Sequence, residues 1–224
     1  MWIDLAIAVR DIAADPDTRV IVLVGDERRF CAGADIKELI DPGPDRTASL
    51  RVVSAVATAI REVTVPTIAA IGGPAHGGGL ELALACDIRI AGPNASFAAA
   101  GVNMGLIASV GSLSRAIGDA AARRMLLTGE RIGIERALDI GIISEIVHEG
   151  SVVTRASALA ATVAAKPPLA VAAAKQALNA VPSLKPNEHD DLINDLFASL
   201  SASQDHAEAI AAFTEKRPGN FTST

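Results

Sequence analysis

Two hydrophobic periodicities alternate along the first two thirds of the chain. Apolar residues at helical spacing predict helices over residues 2–14, 47–61, 112–127 and 134–138. Short apolar runs rich in β-branched residues predict strands over residues 19–25, 67–71, 88–90 and 142–147. The run at 19–25 is continuous, which is typical of a strand buried on both faces. This alternation of strands and helices predicts an α/β domain whose strands are mostly parallel.

The strand pattern stops near Ser151. The remaining sequence predicts three helices, which are separated by prolines and cover residues 151–165, 169–180 and 187–214. We therefore expect residues 1–150 to form the α/β core and residues 151–224 to form a helical C-terminal region.

Composition narrows the class of protein. The chain has 224 residues, a net charge of −6 and only 3% aromatic residues, so a nucleic-acid or anionic-membrane surface is not expected. No uninterrupted apolar span reaches the ~18–20 residues of a membrane helix. Cys31 and Cys86 form neither a C-x-x-C pair nor a zinc pattern, which favours free thiols in a reducing compartment. These features predict a cytoplasmic protein with no membrane partner.

The most informative segment runs from His76 to Asp87. Three glycines, Gly77 to Gly79, directly precede an apolar run that contains Glu81. Consecutive glycines let backbone N–H groups approach a ligand closely. A carboxylate among Leu and Ala is costly to keep charged, which suits it to proton transfer. The segment therefore carries groups needed for chemistry at a carbonyl.

A second candidate loop lies between Arg28 and Glu38. Gly33 permits an unusual backbone angle there, and a helix is predicted to begin near Ile36, where free N–H groups bind anions or polarised carbonyls. If the two loops face each other, one N–H from each can hold a single carbonyl oxygen. Losing one such donor typically raises a barrier by roughly 2.7–4 kcal/mol.

Structural interpretations of the same residues stay open. Either glycine loop alone is more often a tight turn than a functional site, and Glu81 could be a first-turn acid favoured by the helix dipole. His76 before the glycines is similar to an esterase oxyanion loop, but no G-x-S-x-G elbow accompanies it, so His76 is interpreted as a loop residue. No complete dinucleotide-binding fingerprint follows a strand.

Taken together, the two loop motifs resemble the enoyl-CoA hydratase/isomerase (crotonase) family. The matching segments are Phe30–Leu39, Gly77–Asp87, Leu127–Ile132, Gly141–Ile143 and Phe213–Pro218, which occur in the order of the family. The resemblance implies an α/β fold, a spiral of ββα turns followed by a C-terminal helical region that assembles homotrimers or hexamers. It also implies a strand pair ahead of Trp2, for which this sequence has no residues.

The resemblance also implies roles for particular residues. The N–H groups of Ala34 and Gly78 form the oxyanion hole around the carbonyl of an acyl-CoA thioester, and Glu81 is the first of two catalytic glutamates. The loop lines the adenine and phosphate region of CoA with Ala32, Ala34, Asp35, Ile36 and Lys37. Phe213 and Lys216 reach the CoA of a neighbouring subunit. No metal is implied, and no cofactor besides CoA, which is part of the substrate.

One departure from the family bears on mechanism. Gly101 occupies the position of the second catalytic glutamate, and glycine cannot transfer a proton. Glu81 then acts alone on a bound water, or Asn103 or Ser109 helps to orient it.

Three hypotheses follow. The first is enoyl-CoA hydratase chemistry, in which water adds across the α,β carbons of the thioester. The second is another reaction of the family on a CoA thioester, namely isomerisation, decarboxylation or hydrolysis. The third is an acyl-CoA binder without catalysis.

Overall fold

The structure is a computed structural model that describes residues 1–26, 28–33, 35, 40, 45, 47–148 and 151–224. The predicted helix start at Ile36 and most of the predicted break at 41–45 lie outside these residues. The helices of the described chain are α1 (Trp2–Ala14), α2 (Ala48–Glu62), α3 (Gly78–Ala85), α4 (Val110–Thr128), α5 (Ile134–Asp139), α6 (Val152–Ala164), α7 (Pro168–Ala180), α8 (Pro186–Ser201) and α9 (Gln204–Glu215). The strands are β1 (Ile21–Val24), β2 (Thr67–Ile71), β3 (Pro74–His76), β4 (Ile88–Ala91), β5 (Ser96–Ala98), β6 (Arg131–Ile132) and β7 (Glu145–Ile146).

The strands of the described residues form two sheets. One has four strands in the order β1-β2-β4-β7 with all neighbours parallel, and the other has three strands in the order β3-β5-β6. Between α2 and α4 the strands alternate between the two sheets, so β2, β3 and α3 form one ββα turn and β4, β5 and α4 form the next. This confirms the predicted α/β spiral with mostly parallel strands.

The four-stranded sheet is covered on both faces. Ala69, Ile71 and Ala91 pack into the main core with α1 to α4, whereas Ile68 and Ile90 pack against α6 on the other face. Alternate residues of a strand point to opposite faces, so burial on both sides explains why the pattern at 67–71 is continuously apolar. The strand β1 also packs on both faces, with Leu23 against the main core and Val22 on the side of α6, although Val24 is 44% exposed at the edge of the described sheet.

Several other boundaries differ from the sequence prediction. The predicted strand at 142–147 shrinks to β7, since Ile142 and Ile143 form a turn whose N–H groups donate to Ala137 O. The predicted helix at 187–214 is two helices, because α8 ends at Ser201 and Ser203 caps α9 by accepting from His206 N at 3.1 Å. The strands β3, β5 and β6 were not predicted, since each has only two or three residues.

Side chains of α7 hold the end of α2. Lys175 is 5% exposed, and its Nζ donates to Ile60 O at 3.3 Å and Val65 O at 3.0 Å. The same Nζ lies 2.9 Å from Asp87 Oδ2. Asn179 Nδ2 donates to Arg61 O at 3.0 Å. The C-terminal region is therefore fastened to the segment that follows α2 in the core.

The C-terminal tail folds back onto α9. Buried Asp205 accepts from Thr222 N at 2.8 Å, and Arg19 donates to Ser223 Oγ at 2.9 Å. The Arg217 guanidinium lowers the pKa of Glu208 to about 2. The tail thus links α9 to the segment before β1.

By length and apolar composition, none of the described helices qualifies singly as a membrane span. One bent pair, Val152–Ala164 with Pro168–Ser183, meets that test together at an angle of 107°.

Candidate active site

The first predicted loop lies beside β3. Cys31 forms a parallel bridge with Ala75, accepts from His76 N at 3.1 Å and donates to Pro74 O at 3.1 Å. Gly33, two residues later, has a φ of +100°, a conformation that side chains disfavour. The backbone at Cys31 is thus fixed against the strand that leads into the second loop.

The second loop places a free amide at the start of α3. Gly77 has a φ of 51° and donates its N–H to Ala98 O at 2.9 Å. Gly78 is the first residue of α3, so its N–H has no acceptor within the helix. Across the described chain, we find no other acceptor for that N–H either. The Gly78 amide is therefore available to a ligand.

The two loops lie directly against each other, which is the arrangement that a shared carbonyl site would require. A Cβ on Gly33 would lie 3.0 Å from His76 O and 3.1 Å from Gly78 N. A Cβ on Gly79 would lie 1.8 Å from Cys31 O. The glycines are therefore required by the close approach of the two backbones.

Replacing Gly79 with Ala is expected to disrupt this contact, because the new methyl overlaps Cys31 O and a carbonyl of a bridged strand cannot move away freely. Overpacking of this kind costs typically 1–3 kcal/mol, and here also displaces the site. Urea unfolding and acyl-CoA binding measure the two effects. Gly111→Ala is the matched control, since a Cβ there meets no atom within 4 Å. Equal stability of both variants with the wild type would show that the loops are not tightly apposed.

Only some of the other predicted binding residues lie in the described part of the structure. Ala34, Ile36 and Lys37 lie outside the described residues. Ala32 and Asp35 are exposed on the first loop. Phe213 is 87% exposed near the end of α9, and Lys216 follows that helix with a φ of 55°. The roles of these residues stay predictions.

Glu81 lies in the first turns of α3 with a side chain that is 14% exposed. Its Oε1 accepts from Ser112 Oγ at 2.5 Å, and Arg61 Nη1 lies 3.6 Å from the same oxygen. Its Oε2 is buried and has no hydrogen-bond partner in the described part of the chain. Burying a carboxylate oxygen without a hydrogen-bond partner costs free energy. Oε2 is therefore the atom that a substrate or water is expected to contact.

Sequence reasoning does not single out Arg61 or Ser112. They come from α2 and α4, and only the packing of both helices against α3 brings them to Glu81. A weak signal exists for Arg61, which is a basic residue in the last turn of its helix. For Ser112 the sequence holds no comparable signal, because a serine in the first turn of a helix is common.

Ser112→Ala is expected to lower kcat roughly tenfold or more, because a hydrogen bond to a charged group contributes about 1.5–3 kcal/mol and here fixes which carboxylate oxygen is free. The pH profile of kcat/KM should shift as well, which a purely structural defect would not cause. Ser114→Ala is the control, since Ser114 makes no side-chain hydrogen bond within the described chain. Unchanged kcat and profile in Ser112→Ala would remove Ser112 from the site.

The position of the missing second acid is tightly filled. Gly101 lies in a short 3-10 helix, Ala100–Met104, and a Cβ on it would lie 3.0 Å from Leu106 O and 3.3 Å from Ala108 N. A side chain at 101 would thus require the following loop to shift by a few tenths of an ångström. The backbone of this segment therefore leaves room for glycine but not for a larger residue without a shift.

The two polar residues considered as substitutes differ. Asn103 Nδ2 donates to Gly129 O at 2.9 Å, so this side chain holds the end of α4. Ser109 Oγ is buried with no partner in the described residues, and Ser109 has a φ of 58° just before α4. Ser109 lies three residues before Ser112 and is the better candidate for orienting a water.

The remaining polar groups near the loops have structural partners. His76 belongs to β3 and not to a loop, which corrects the sequence interpretation, and its Nε2 lies 3.0 Å from Ser96 Oγ. Burial lowers the pKa of His76. Burial also raises the pKa of Cys31, and raises that of Cys86 to about 12, so neither thiol is poised as a nucleophile.

The fold and this site define a class of α/β protein in which two apposed backbone loops present a free amide, and the helix that this amide begins carries a buried carboxylate. The sequence model of the enoyl-CoA hydratase/isomerase family matches residues 1–224. The chain therefore belongs to that family, which confirms the resemblance drawn from its loop motifs.

Individual relatives agree with this assignment. The chain is 39% identical to (E)-benzylidenesuccinyl-CoA hydratase of Thauera aromatica over 94% of this chain and 84% of the relative. It is 36% identical to a probable enoyl-CoA hydratase of Mycobacterium tuberculosis over 96% and 84% of the two chains. Its structure is similar to enoyl-CoA hydratase of Bacillus anthracis, with a TM-score of 0.92, 30% identity and coverage of 100% and 88%.

Proposed function

We propose that this chain is a hydratase that adds water across the α,β carbons of an enoyl-CoA thioester, or eliminates it. The observation that carries the proposal is Glu81, whose Oε1 is held by Ser112 while its buried Oε2 has no partner in the described residues. One carboxylate oxygen is thereby left without a partner among these residues, three residues along the helix from the free amide of Gly78.

The Gly78 N–H donates to the thioester oxygen and stabilises the negative charge that develops there when water attacks the β carbon. Ala34, whose placement lies outside the described residues, supplies the second donor by family resemblance. Each such donor lowers the barrier by roughly 2.7–4 kcal/mol. The Gly78 donor would be fixed before the reaction, because Gly33 and Gly79 bring the two backbones into contact beside it.

Glu81 Oε2 takes a proton from the attacking water and then returns it to the α carbon. The C–O bond forms at the β carbon, the C=C electrons move into the thioester as an enolate, and the returned proton completes the product. The Arg61 guanidinium lies 3.6 Å from Oε1, on the carboxylate oxygen that is already held by Ser112. Ser109 is the candidate for orienting the water in place of a second acid.

A second reaction class has one specific observation in its favour. Gly101 supplies no acid, and hydration by two carboxylates is therefore not open to this chain. A different reaction of the same thioester, for which one carboxylate suffices, would use the same amide donors. The family includes relatives whose names denote different acyl groups, so the acyl group is not set by membership.

We also propose that the chain assembles as a homotrimer or a pair of trimers. Large apolar side chains are exposed along α8 and α9, including Phe197 at 72% and Phe213 at 87%. Exposed apolar surface of this kind marks contacts with other chains. Light scattering coupled to size exclusion measures the mass directly, and a monomeric mass at micromolar concentration would contradict the proposal.

The proposed hydration is tested with crotonyl-CoA and a panel of thioesters that includes carboxylated and aromatic acyl groups. We expect loss of the conjugated absorbance and formation of a 3-hydroxyacyl-CoA. Turnover of a panel member to another product would select the second reaction class. Tight calorimetric binding of acyl-CoA with no turnover of any member would select the binder.

A further inference from the structure

A cavity of about 700 Å³ adjoins the residues that hold Glu81. It is formed by the end of α2 and by α4, α7 and α8. Two features connect it to the site. Arg61 lines the cavity while its Nη1 lies 3.6 Å from Glu81 Oε1, and Arg115 lines it from α4 one turn after Ser112. Residues three apart on a helix share a face, so α4 presents Ser112 and Arg115 in the same direction.

The walls combine apolar side chains with these cations. Leu169, Leu196 and Leu200 supply apolar surface, and Arg61 and Arg115 supply the positive charge. Arg115 makes no hydrogen bond or ion pair within the described residues. The Nη1 of Arg61 lies 3.6 Å from Glu81 Oε1. A guanidinium has five N–H donors, so Arg61 has further donors available for a ligand.

Two further charged residues, Lys175 and Glu62, line the cavity and change its net charge little. The Lys175 ammonium lies 2.9 Å from Asp87 Oδ2, so its charge is already compensated. Glu62 also lines the cavity and is an exposed residue at the end of α2. Glu62 is the acid among the cavity residues. Removing its charge should therefore favour a carboxylate ligand, whereas removing the charge of an arginine should disfavour it.

Arg61 is held in place before any ligand arrives. Asn179 Nδ2 donates to Arg61 O at 3.0 Å, and Lys175 Nζ donates to the preceding carbonyl, Ile60 O, at 3.3 Å. Both clamps come from α7, which also forms a wall of the cavity. These bonds fix the backbone at Arg61, and the contact of Nη1 with Glu81 Oε1 restrains its guanidinium, so Arg61 binds a carboxylate with less loss of conformational freedom.

We propose that this cavity binds a carboxylate carried by the acyl part of the thioester, with Arg61 and Arg115 as its partners. The inference rests on the proposed function, because it takes the acyl group to extend past Glu81. An apolar chain end would instead occupy a space lined by two guanidinium groups, of which, within the described residues, only Arg61 already has an acid nearby, and would leave Arg115 without a partner. Sites built to pair a polar group discriminate strongly against analogues that lack it.

The test compares two thioesters of equal chain length, the CoA thioester of trans-2-hexenedioic acid and neutral trans-2-hexenoyl-CoA. We expect kcat/KM to be higher for the acid, and Arg115→Gln to lower the ratio of the two values roughly tenfold or more. Arg61→Gln should also lower the ratio, and Glu62→Gln should raise it. Arg123→Gln is the matched control, since Arg123 is an exposed residue of α4 that pairs with Asp119.

Two results would overturn the inference. One is a wild-type preference for the neutral thioester, and the other is an unchanged ratio in Arg115→Gln. If neither thioester is turned over, the hydratase proposal fails by itself, and calorimetry then gives the ratio of Kd values for the same variants. Failure to bind the acid more tightly than the neutral thioester in that measurement would reject the cavity assignment as well.

Discussion

Replacing Glu81 with Gln is expected to lower kcat for hydration of crotonyl-CoA by roughly 10²–10⁴-fold, the usual contribution of a positioned general acid or base. The amide keeps the size of the side chain and can still accept from Ser112, but it cannot take a proton from water. Binding of the thioester should persist, because the Gly78 amide and the loops are untouched. Steady-state kinetics and calorimetry on the same preparations measure the two effects.

Glu135→Gln is the control for this experiment. Glu135 is exposed in the first turn of α5, so its replacement makes the same chemical change outside the site. An unchanged rate in Glu81→Gln would show that the proton transfer belongs to another group, and the assigned mechanism would be wrong. Loss of binding together with loss of rate would instead point to a displaced α3, which circular dichroism and urea unfolding would detect.

Replacing Lys175 with Met is expected to lower the free energy of unfolding by about 3 kcal/mol, the lower end of the range for breaking a buried ion pair. The change leaves Asp87 without its cation and two carbonyls, Ile60 O and Val65 O, without their donor. The lower end applies because the Asp87 side chain is 28% exposed and also accepts from Thr67 N at 2.7 Å, so it is partly compensated. Urea unfolding measures the loss.

Lys166→Met is the matched control, since Lys166 is exposed just before α7. The double variant Lys175→Met with Asp87→Asn should recover part of the loss, because it removes both members of the pair. A loss below about 1 kcal/mol in Lys175→Met would show that this pair behaves like one at the surface and does not fasten α7 to the core.

The structure also explains why the chain can use a glycine at position 101. The loop at 106–108 occupies the space in which a side chain would begin. The remaining acid is then held more firmly than its sequence suggests, with Oε1 engaged by Ser112 and approached by Arg61. Catalysis by a single carboxylate requires that its free oxygen be placed reproducibly, and these two contacts provide that constraint.

The amino-acid sequence by itself determined most of the helices, the strands of the four-stranded sheet and the two loops of the site. Helices α1 and α2 and strand β2 follow the hydrophobic pattern closely, because burial of one helix face or of both strand faces depends on residues that are close together in the sequence. The loops were also visible, since glycines at 33 and 77–79 and the acid at 81 are local in sequence. The family assignment followed from those same segments.

Only the tertiary structure decided what surrounds Glu81. Ser112 and Arg61 are 31 and 20 residues away from it in the chain, and no local pattern marks them. The sequence also did not predict the three-stranded sheet or the hydrogen bonds from α7 to α2. Short strands and single buried lysines are stabilised by partners that are distant in the sequence. Local sequence specifies which elements form, whereas contacts between elements specify which side chains share a site.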